Sequence, residues 1–237
     1  MTKMLSYDFH THILPGIDDG AKTPEESLKL INSLRVQGIK NIVLTSHYYS
    51  HKESMEDFLK RREEACKVLL PLIPEDINVK IGAEVYVTKY MFTDRLDFSP
   101  VCMEGTPYML TEFSYGASFE GESLKMLMRL MDLGVRPIIP HIERYEKLIK
   151  KPDTISELID MGVVIQSNAS SFTDRRISSK LMKLLRRGYI HILSSDTHSE
   201  SHNSPRSFSD AIKAINKKCP EAVAYLQENA EKIWNND

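Results

Sequence analysis

The sequence predicts an α/β protein, a parallel barrel of about seven β/α units, and three observations support this. Short apolar runs alternate with amphipathic helical stretches along the whole chain. A glycine stands near the end of several helical stretches, a few residues before the next apolar run. The 237 residues suit a single domain covering 1–237, because α/β barrels routinely reach roughly 200–250 residues.

The predicted strands are short and apolar on both faces, as expected in a parallel sheet that helices cover on both sides. They are residues 5–9, 41–45, 79–85, 108–113, 137–140, 163–167 and 191–195. A glycine just past a helix end supplies the left-handed residue that terminates the helix, so four glycines mark helix-to-strand junctions. These are Gly38, Gly134, Gly162 and Gly188.

Helical patterns lie between the strands. They cover residues 25–37, 55–70, 122–133, 154–161 and 174–187, with a C-terminal pair from Arg206 onward. A helix is expected to start at Thr23, Pro24 and Glu25. The Thr23 hydroxyl can cap the N-terminus, proline suits the first turn, and the Glu25 carboxylate interacts favourably with the helix dipole. The longest irregular segment is 94–107, and no change in composition marks a domain boundary.

The composition is that of an ordinary soluble protein, with 41% hydrophobic and 27% charged residues. A net charge of −2 gives no electrostatic case for nucleic acid or an anionic membrane as the main partner. No stretch approaches the roughly 18 apolar residues that span a bilayer, and the N-terminus does not resemble a signal peptide. Three cysteines without a C-x-x-C pair suit a reducing compartment. We therefore expect a cytoplasmic protein without membrane insertion.

Polar and ionisable side chains stand at or just beyond the C-terminal ends of all seven predicted strands. They are His10, His12, His47, Glu84, Glu112, His141, Arg144, Gln166, Asn168, Asp196 and His198. In a parallel barrel all strand C-termini open on one face, where active sites are built. The sequence therefore predicts that these side chains meet at one rim.

Each signal also has a structural interpretation. The pair His10 and His12 suits chelation of one ion, yet such a pair alone is more often a surface feature. Asp18-Asp19-Gly20 is equally well a turn in which glycine takes a positive φ, and Asp19 can still bind metal. Glu84 and Glu112 could instead form structural ion pairs, because a buried unpaired carboxylate is costly.

Three further histidines, His51, His191 and His202, are expected outside the metal-binding set. His191 opens a strand at the opposite end of the barrel, and the other two lie in polar loops. The three cysteines are expected to be small buried apolar residues.

The segments FHTHILPGIDDGAKTPEESL, NIVLTSH, IGAEVY, LTEF, PIIPHIERY and SSDTH resemble the polymerase and histidinol phosphatase (PHP) superfamily of metallohydrolases. Within it, the sequence is most similar to the bacterial protein-tyrosine phosphatases associated with capsule and exopolysaccharide synthesis. This resemblance covers nearly the whole chain. It implies a distorted (β/α)7 TIM-like barrel with three divalent metal ions, often manganese, with iron or zinc as alternatives.

The resemblance also implies roles for particular residues. Metal ligands would be His10, His12, Asp19, His47, Glu84, Glu112, His141, Asp196 and His198. Arg144 matches the family's phosphate-binding arginine, and Arg206 is the best candidate for a second one. Relatives place proline and basic residues near the second-strand histidine, whereas Tyr48 and Tyr49 stand here and could shape a pocket for an aromatic substrate.

These assignments give a hypothesis for the chemistry. Imidazole and carboxylate ligands without thiolate favour manganese, iron or zinc, and such ions generate hydroxide near neutral pH. This metal-bound hydroxide would attack phosphorus while Arg144 holds the phosphoryl oxygens in a bidentate contact. A tyrosyl group, whose phenol has a pKa of about 10, leaves more easily than an alkoxide, and Asp19 or His198 could protonate it.

The resemblance implies a phosphotyrosine protein as substrate, with the tyrosine-rich tail of a membrane-anchored polysaccharide-export kinase as the natural partner. Three alternatives stay open: a phosphatase of histidinol phosphate or another small phosphomonoester, a nucleic-acid phosphodiesterase, and a non-catalytic scaffold that binds phosphotyrosine or metal. The cysteine-dependent tyrosine phosphatases are excluded, because their C-x5-R loop needs arginine where this chain has Leu72, Tyr108 and Tyr225.

Overall fold

The computed structural model describes residues 5–92, 97–201 and 203–237. His202 and the first part of the predicted irregular segment 94–107 lie outside these residues. Within the described ranges the apolar runs form nine short strands, all paired in parallel. The strands are β1 (Tyr7–Thr11), β2 (Asn41–Leu44), β3 (His47–Tyr48), β4 (Asn78–Ile81), β5 (Glu84–Tyr86), β6 (Tyr108–Glu112), β7 (Arg136–Ile139), β8 (Val164–Asn168) and β9 (Ile192–Ser194).

The predicted strand 79–85 is divided into β4 and β5, and the short strand β3 follows the predicted strand 41–45. The order of pairing is β1-β2-β4 in one sheet and β3-β5-β6-β7-β8-β9 in the other. Backbone hydrogen bonds bridge the breaks, from the Gly82 N–H to the Leu44 carbonyl at 2.9 Å and from the Glu84 N–H to the Ser46 carbonyl at 3.1 Å. β2 with β3, and β4 with β5, therefore make the second and third of seven barrel strands.

The last barrel strand returns to the first. The His12 N–H donates to the Thr197 carbonyl at 2.8 Å, and the Asp196 N–H donates to the His10 carbonyl at 2.9 Å. Thr11 and Thr197 form a parallel bridge. The parallel sheet thus curls until its ends meet, and the predicted distorted (β/α)7 barrel is confirmed.

Helices cover the outside of the sheet. They are α1 (Pro24–Arg35), α2 (Met55–Leu69), α3 (Glu122–Asp132), α4 (Glu146–Ile149), α5 (Pro152–Asp160), α6 (Ser178–Arg186), α7 (Ser207–Lys218) and α8 (Pro220–Asn235). The predicted start of α1 is confirmed, since the Thr23 side chain accepts the Glu26 N–H at 3.3 Å. The four junction glycines have φ values of 72° to 95°. The one-turn helix α4 was not predicted.

The N-terminal end of the barrel is closed by apolar packing. Inward-facing strand residues, among them Phe9 and Ile192, form a buried cluster with Ile233 of α8. The Trp234 ring packs against Tyr7 and Phe9, with centroids 5.7 and 6.4 Å apart. The C-terminal end is therefore the one that carries the polar residues. None of the helices within the described ranges is long and apolar enough to cross a membrane.

Candidate metal centre and phosphate site

The nine residues predicted as metal ligands meet at the C-terminal rim of the barrel. Their donor atoms form three overlapping groups, each with all atoms within 4.8 Å of one another. The groups are His10, His12 and Asp196; His12, Asp19, His47 and His198; and His47, Glu84 and Glu112. His141 completes the set, with its Nε2 atom 2.9 Å from Glu84 Oε1 and 3.5 Å from Glu112 Oε1.

Glu84 lies at the centre of this arrangement, and its side chain is 1% exposed. Its Oε2 atom is 3.1 Å from His10 Nε2 and 3.0 Å from His47 Nδ1. Among the described residues, Glu84 Oε2 and His47 Nδ1 are buried polar atoms that make no well-aligned hydrogen bond, although they lie 3.0 Å apart. Leaving such atoms unsatisfied costs free energy, so their convergence fits a divalent cation, and the imidazole and carboxylate donors suit manganese, iron or zinc.

The charges at the centre are also arranged to receive a cation. Burial raises the pKa of Glu112, and the nearby negative charge of Glu84 raises it further. Burial would raise the pKa of Glu84 too, but interactions with His10 and other histidines outweigh this and hold it well below the ordinary value. Burial and the neighbouring His12 lower the pKa of His198 to about 4. Neutral His198 can ligate metal through its ring.

Two of the predicted ligands have a strained backbone. His141 has φ 35° and Asp196 has φ 55°, both in the left-handed region that non-glycine residues rarely adopt. Gln166 supports this geometry, since its Oε1 accepts the His141 N–H at 2.7 Å and lies 3.4 Å from His10 Nδ1. Strain of this kind persists where the surrounding structure enforces it, as at functional sites.

Asp196 is held from both sides. Its Oδ1 atom lies 3.4 Å from the Nε2 atoms of His10 and His12. Its Oδ2 atom accepts hydrogen bonds from the side chains of Arg144 at 2.7 Å, Asn168 at 2.8 Å and Asn203 at 2.9 Å. The carboxylate therefore joins the metal-type cluster to the arginine beside it.

Asp18, which the sequence analysis assigned only to a turn, orients two of the histidines. Its Oδ2 atom is 2.8 Å from the ring Nδ1 of His12 and accepts the backbone N–H of His47 at 3.0 Å. Its Oδ1 atom accepts the Gly20 N–H at 3.0 Å. A carboxylate on the far nitrogen of a metal-binding histidine fixes its tautomer and orientation. The spacing H-x5-D was the signal available in the sequence.

The predicted turn around Gly20 has a different cause from the one expected. Gly20 is not among the residues with positive φ. Instead, a Cβ atom at this position would stand 1.9 Å from the His12 carbonyl oxygen, so only glycine lets the loop pass the strand. This loop carries Asp19, whose Oδ1 atom lies 3.4 Å from His198 Nε2 and 3.5 Å from His47 Nε2. Its side chain is 71% exposed.

Arg144 stands beside the cluster, on the short turn that follows β7. Besides its bond to Asp196, its Nη1 atom donates to the Tyr115 hydroxyl at 2.9 Å. That hydroxyl in turn donates to Glu112 Oε1 at 2.9 Å. Sequence analysis missed Tyr115, although it follows Glu112 by three residues just beyond a strand end. The Arg144 side chain is 32% exposed at the edge of the cluster, where its guanidinium can bind a phosphoryl group.

Arg206 is not brought to this site, contrary to the expectation for a second phosphate-binding arginine. Its side chain is 78% exposed and pairs with Glu200, with 3.3 Å between Nη2 and Oε2. The chain just before α7 is fixed elsewhere, because the Pro205 carbonyl accepts the Gln37 side chain at 2.7 Å. Arg206 borders a separate surface cavity with Lys29.

The other described residues that the sequence analysis excluded from the ligand set do not join the cluster. His191 accepts the Ile165 N–H at 3.0 Å through Nδ1, next to the start of β9. His51 is exposed and lies beside the rings of Tyr49 and Tyr86. The three cysteines are buried and form no disulfide; they are Cys66, Cys102 and Cys219.

The two tyrosines after His47 have different environments. Tyr48 is 4% exposed and packs on Phe58 at 4.9 Å between centroids, so it belongs to the core. Tyr49 lies next to the cluster, with its ring centroid 5.2 Å from that of His47. Only the second tyrosine can therefore shape the site.

Comparisons with known proteins agree with this geometry. Residues 6–235 match the family model described as "Capsular polysaccharide synthesis, CpsB/CapC". The tyrosine-protein phosphatase CpsB of Streptococcus agalactiae serotype III is 31% identical, covering 97% of this chain and 98% of that protein. The CpsB of Streptococcus pneumoniae is 32% identical, covering 95% and 97%.

The fold matches solved structures as well. One match is a crystal structure from a study of YwqE from Bacillus subtilis and CpsB from Streptococcus pneumoniae. That study describes the two proteins as unique metal-dependent tyrosine phosphatases. The match has a TM-score of 0.79 at 23% identity, covering 98% of this chain and 95% of the other. Histidinol phosphate phosphatase from Lactococcus lactis, with zinc, L-histidinol and phosphate bound, matches at TM-score 0.54 and 14% identity, covering 93% and 94%. The chain belongs to the CpsB/CapC family.

Proposed function

We propose that this protein is a metal-dependent protein-tyrosine phosphatase that acts in capsule or exopolysaccharide synthesis. The observation that carries the proposal is the junction at Asp196, whose one oxygen faces His10 and His12 while the other accepts Arg144. This carboxylate places a phosphate-binding guanidinium directly against a cluster of metal-type donors. The names of the relatives in two Streptococcus species, at 31% and 32% identity over nearly the full chain, support the same activity.

We assign the metal-binding role to the nine clustered residues, with Glu84 as the shared ligand at the centre. The three overlapping donor groups support three divalent ions, and the donor types support manganese, with iron or zinc as alternatives. When bound, such ions supply Lewis-acid charge for the phosphoryl oxygens and a hydrolytic nucleophile at neutral pH.

The chain's own side chains bind and orient the substrate. Arg144 presents a planar fork that matches two phosphoryl oxygens, and Tyr115 holds that fork through its hydroxyl. In this role the guanidinium exchanges its contact with Asp196 for the substrate. Because the pKa of His198 is lowered to about 4, its ring is neutral at pH 7 and suits metal binding better than proton donation.

The substrate we propose is a phosphotyrosine protein, with the tyrosine-rich tail of a membrane-anchored polysaccharide-export kinase as the natural partner. A phenolate leaves with less acid assistance than an alkoxide, because the pKa of phenol is about 10. This suits a centre in which the neutral His198 ring contributes little acid assistance.

Phosphate release from a phosphotyrosyl peptide, a phosphoseryl peptide and histidinol phosphate tests the proposal. We expect the highest kcat/KM with the phosphotyrosyl peptide, and release by Arg144→Ala reduced to background. A strong preference for histidinol phosphate would instead indicate a small-molecule phosphatase. Equal signals from wild type and Arg144→Ala would indicate a non-catalytic scaffold.

A further inference from the structure

Three rings form an inclined surface next to the candidate metal centre, which we call the aromatic corner: Tyr49, His51 and Tyr86. The Tyr49 and Tyr86 centroids are 5.8 Å apart, with the planes at 48°. His51 meets Tyr49 at 5.7 Å and 70°, and Tyr86 at 6.2 Å and 67°. Because the planes are inclined, no ring of the corner is stacked flat against another.

The strand register places this corner on the same face as the metal-type donors. β3 and β5 pair in parallel with His47 opposite Glu84. Tyr49 follows His47 by two residues, and Tyr86 follows Glu84 by two residues. Alternate residues of a strand point to one face, so Tyr86 lies one step above Glu84, toward the mouth of the barrel. Tyr49 lies one residue beyond β3, and its ring contacts with His47 and Tyr86 place it on the same face.

The surroundings of Tyr49 agree with this placement. Its ring lies 5.2 Å from the His47 ring, and the Lys52 ammonium stands 4.0 Å from its centroid. Burial raises the pKa of its hydroxyl, and the charges of Glu112 and Glu84 raise it further. The hydroxyl is therefore within the field of the carboxylates at the centre.

We propose that the aromatic corner binds the aryl ring of the phosphotyrosine substrate and makes the site selective for aryl over alkyl phosphates. This rests on the proposed phosphatase function and adds the determinant of its substrate class. A phosphoryl group at Arg144 and the metal centre would direct its ester substituent toward the mouth, where these rings stand. Aromatic rings attract one another in inclined arrangements at separations of about 4.5–7 Å, whereas an alkyl chain offers no such partner.

Equilibrium binding of two non-hydrolysable ligands to the metal-loaded protein tests this proposal. Phenylphosphonate and methylphosphonate share one headgroup, so the ratio of their Kd values, measured by titration calorimetry, isolates the ring. We expect wild type to bind phenylphosphonate more tightly. We expect Tyr49→Ala and Tyr86→Ala each to reduce that preference by about 2- to 12-fold, with methylphosphonate affinity unchanged.

Two variants serve as controls. Tyr49→Phe keeps the ring and should keep the preference, and Tyr90→Ala removes a tyrosine ring, 72% exposed, from outside the corner. The proposal is overturned if wild type does not bind phenylphosphonate more tightly than methylphosphonate. This comparison uses wild type alone, so it does not depend on the folding of any variant. The proposal is also overturned if the alanine variants keep the preference or weaken both ligands equally. Phosphate release by wild type from a phosphotyrosyl peptide tests the catalytic function separately.

Discussion

Replacing Asp18 by asparagine tests how far the metal centre depends on a residue that is not itself a ligand. The Asp18 side chain is 5% exposed and accepts from His12 Nδ1 and from the backbone N–H groups of His47 and Gly20. Asparagine keeps the shape but has a single acceptor oxygen. If that oxygen serves His12 and His47, the amide NH2 faces the Gly20 N–H and one hydrogen bond is lost.

The loss of charge affects metal binding, whereas the lost hydrogen bond affects the stability of the metal-free fold. Burial would raise the pKa of Asp18, yet the hydrogen bond and charge of His12 hold it below the ordinary value. By accepting the proton on His12 Nδ1, the carboxylate also favours the neutral tautomer that leaves Nε2 free for a metal. Removing such a partner typically lowers metal affinity or activity about 10- to 100-fold, equivalent to about 1.4–2.8 kcal/mol. The unpaired Gly20 N–H would destabilise the apo fold by about 1–3 kcal/mol.

The assay is metal titration by calorimetry together with kcat on a phosphotyrosyl peptide. Asp76→Asn is the matched control, because Asp76 is 41% exposed and pairs with Arg35 and Lys40 at the surface. Loss of exposed ion pairs costs about 0–1 kcal/mol and should leave metal binding unchanged. Wild-type metal affinity and rate in Asp18→Asn would refute the orienting role.

Three other perturbations separate the remaining parts of the account. Arg144→Lys should lower kcat/KM on the phosphotyrosyl peptide at least about 100-fold, since lysine lacks the bidentate fork, while Arg206→Ala should stay near wild type. Tyr115→Phe should lower kcat/KM about tenfold by removing the hydroxyl that holds Arg144, and an unchanged rate would exclude that role. Because burial lowers the pKa of His191 to about 4, folding stability should fall as pH drops below 6.5. Chemical denaturation at pH 5 should show a free energy of unfolding about 2 kcal/mol lower on account of this histidine. In His191→Gln this pH-dependent decrease should be absent.

Much of the site could be predicted because its residues follow the strands directly. The β/α alternation determines where each strand ends, and a parallel sheet brings all those ends to one rim. His10, His47, Glu84 and His141 therefore met as the sequence predicted. These positions depend on strand register, which the apolar pattern encodes.

Residues on the connecting loops were harder to predict, because periodicity does not describe the path of a loop. Arg206 was expected at the phosphate, yet the contact of Gln37 with the preceding carbonyl fixes that segment elsewhere. Asp18 and Tyr115 act through hydrogen bonds to residues six and three positions away, which the apolar pattern does not single out. The requirement for Gly20 arises from the approach to His12, which is visible only in three dimensions.

The breaks in the second and third barrel strands also went unpredicted. The apolar run through 41–45 gives no sign that pairing changes partners before β3 begins. This change of partner matters for function, because it places His47 opposite Glu84 in the second sheet. The predicted strand ended two residues before His47, so the sequence placed this histidine beyond the strand, whereas the structure pairs it within one.

Metal analysis of the purified protein, combined with phosphatase activity before and after chelation, tests the central claim most directly. The account predicts bound manganese, iron or zinc, loss of phosphate release from a phosphotyrosyl peptide when the metal is removed, and recovery when it is returned. Full activity in a metal-free sample would contradict it.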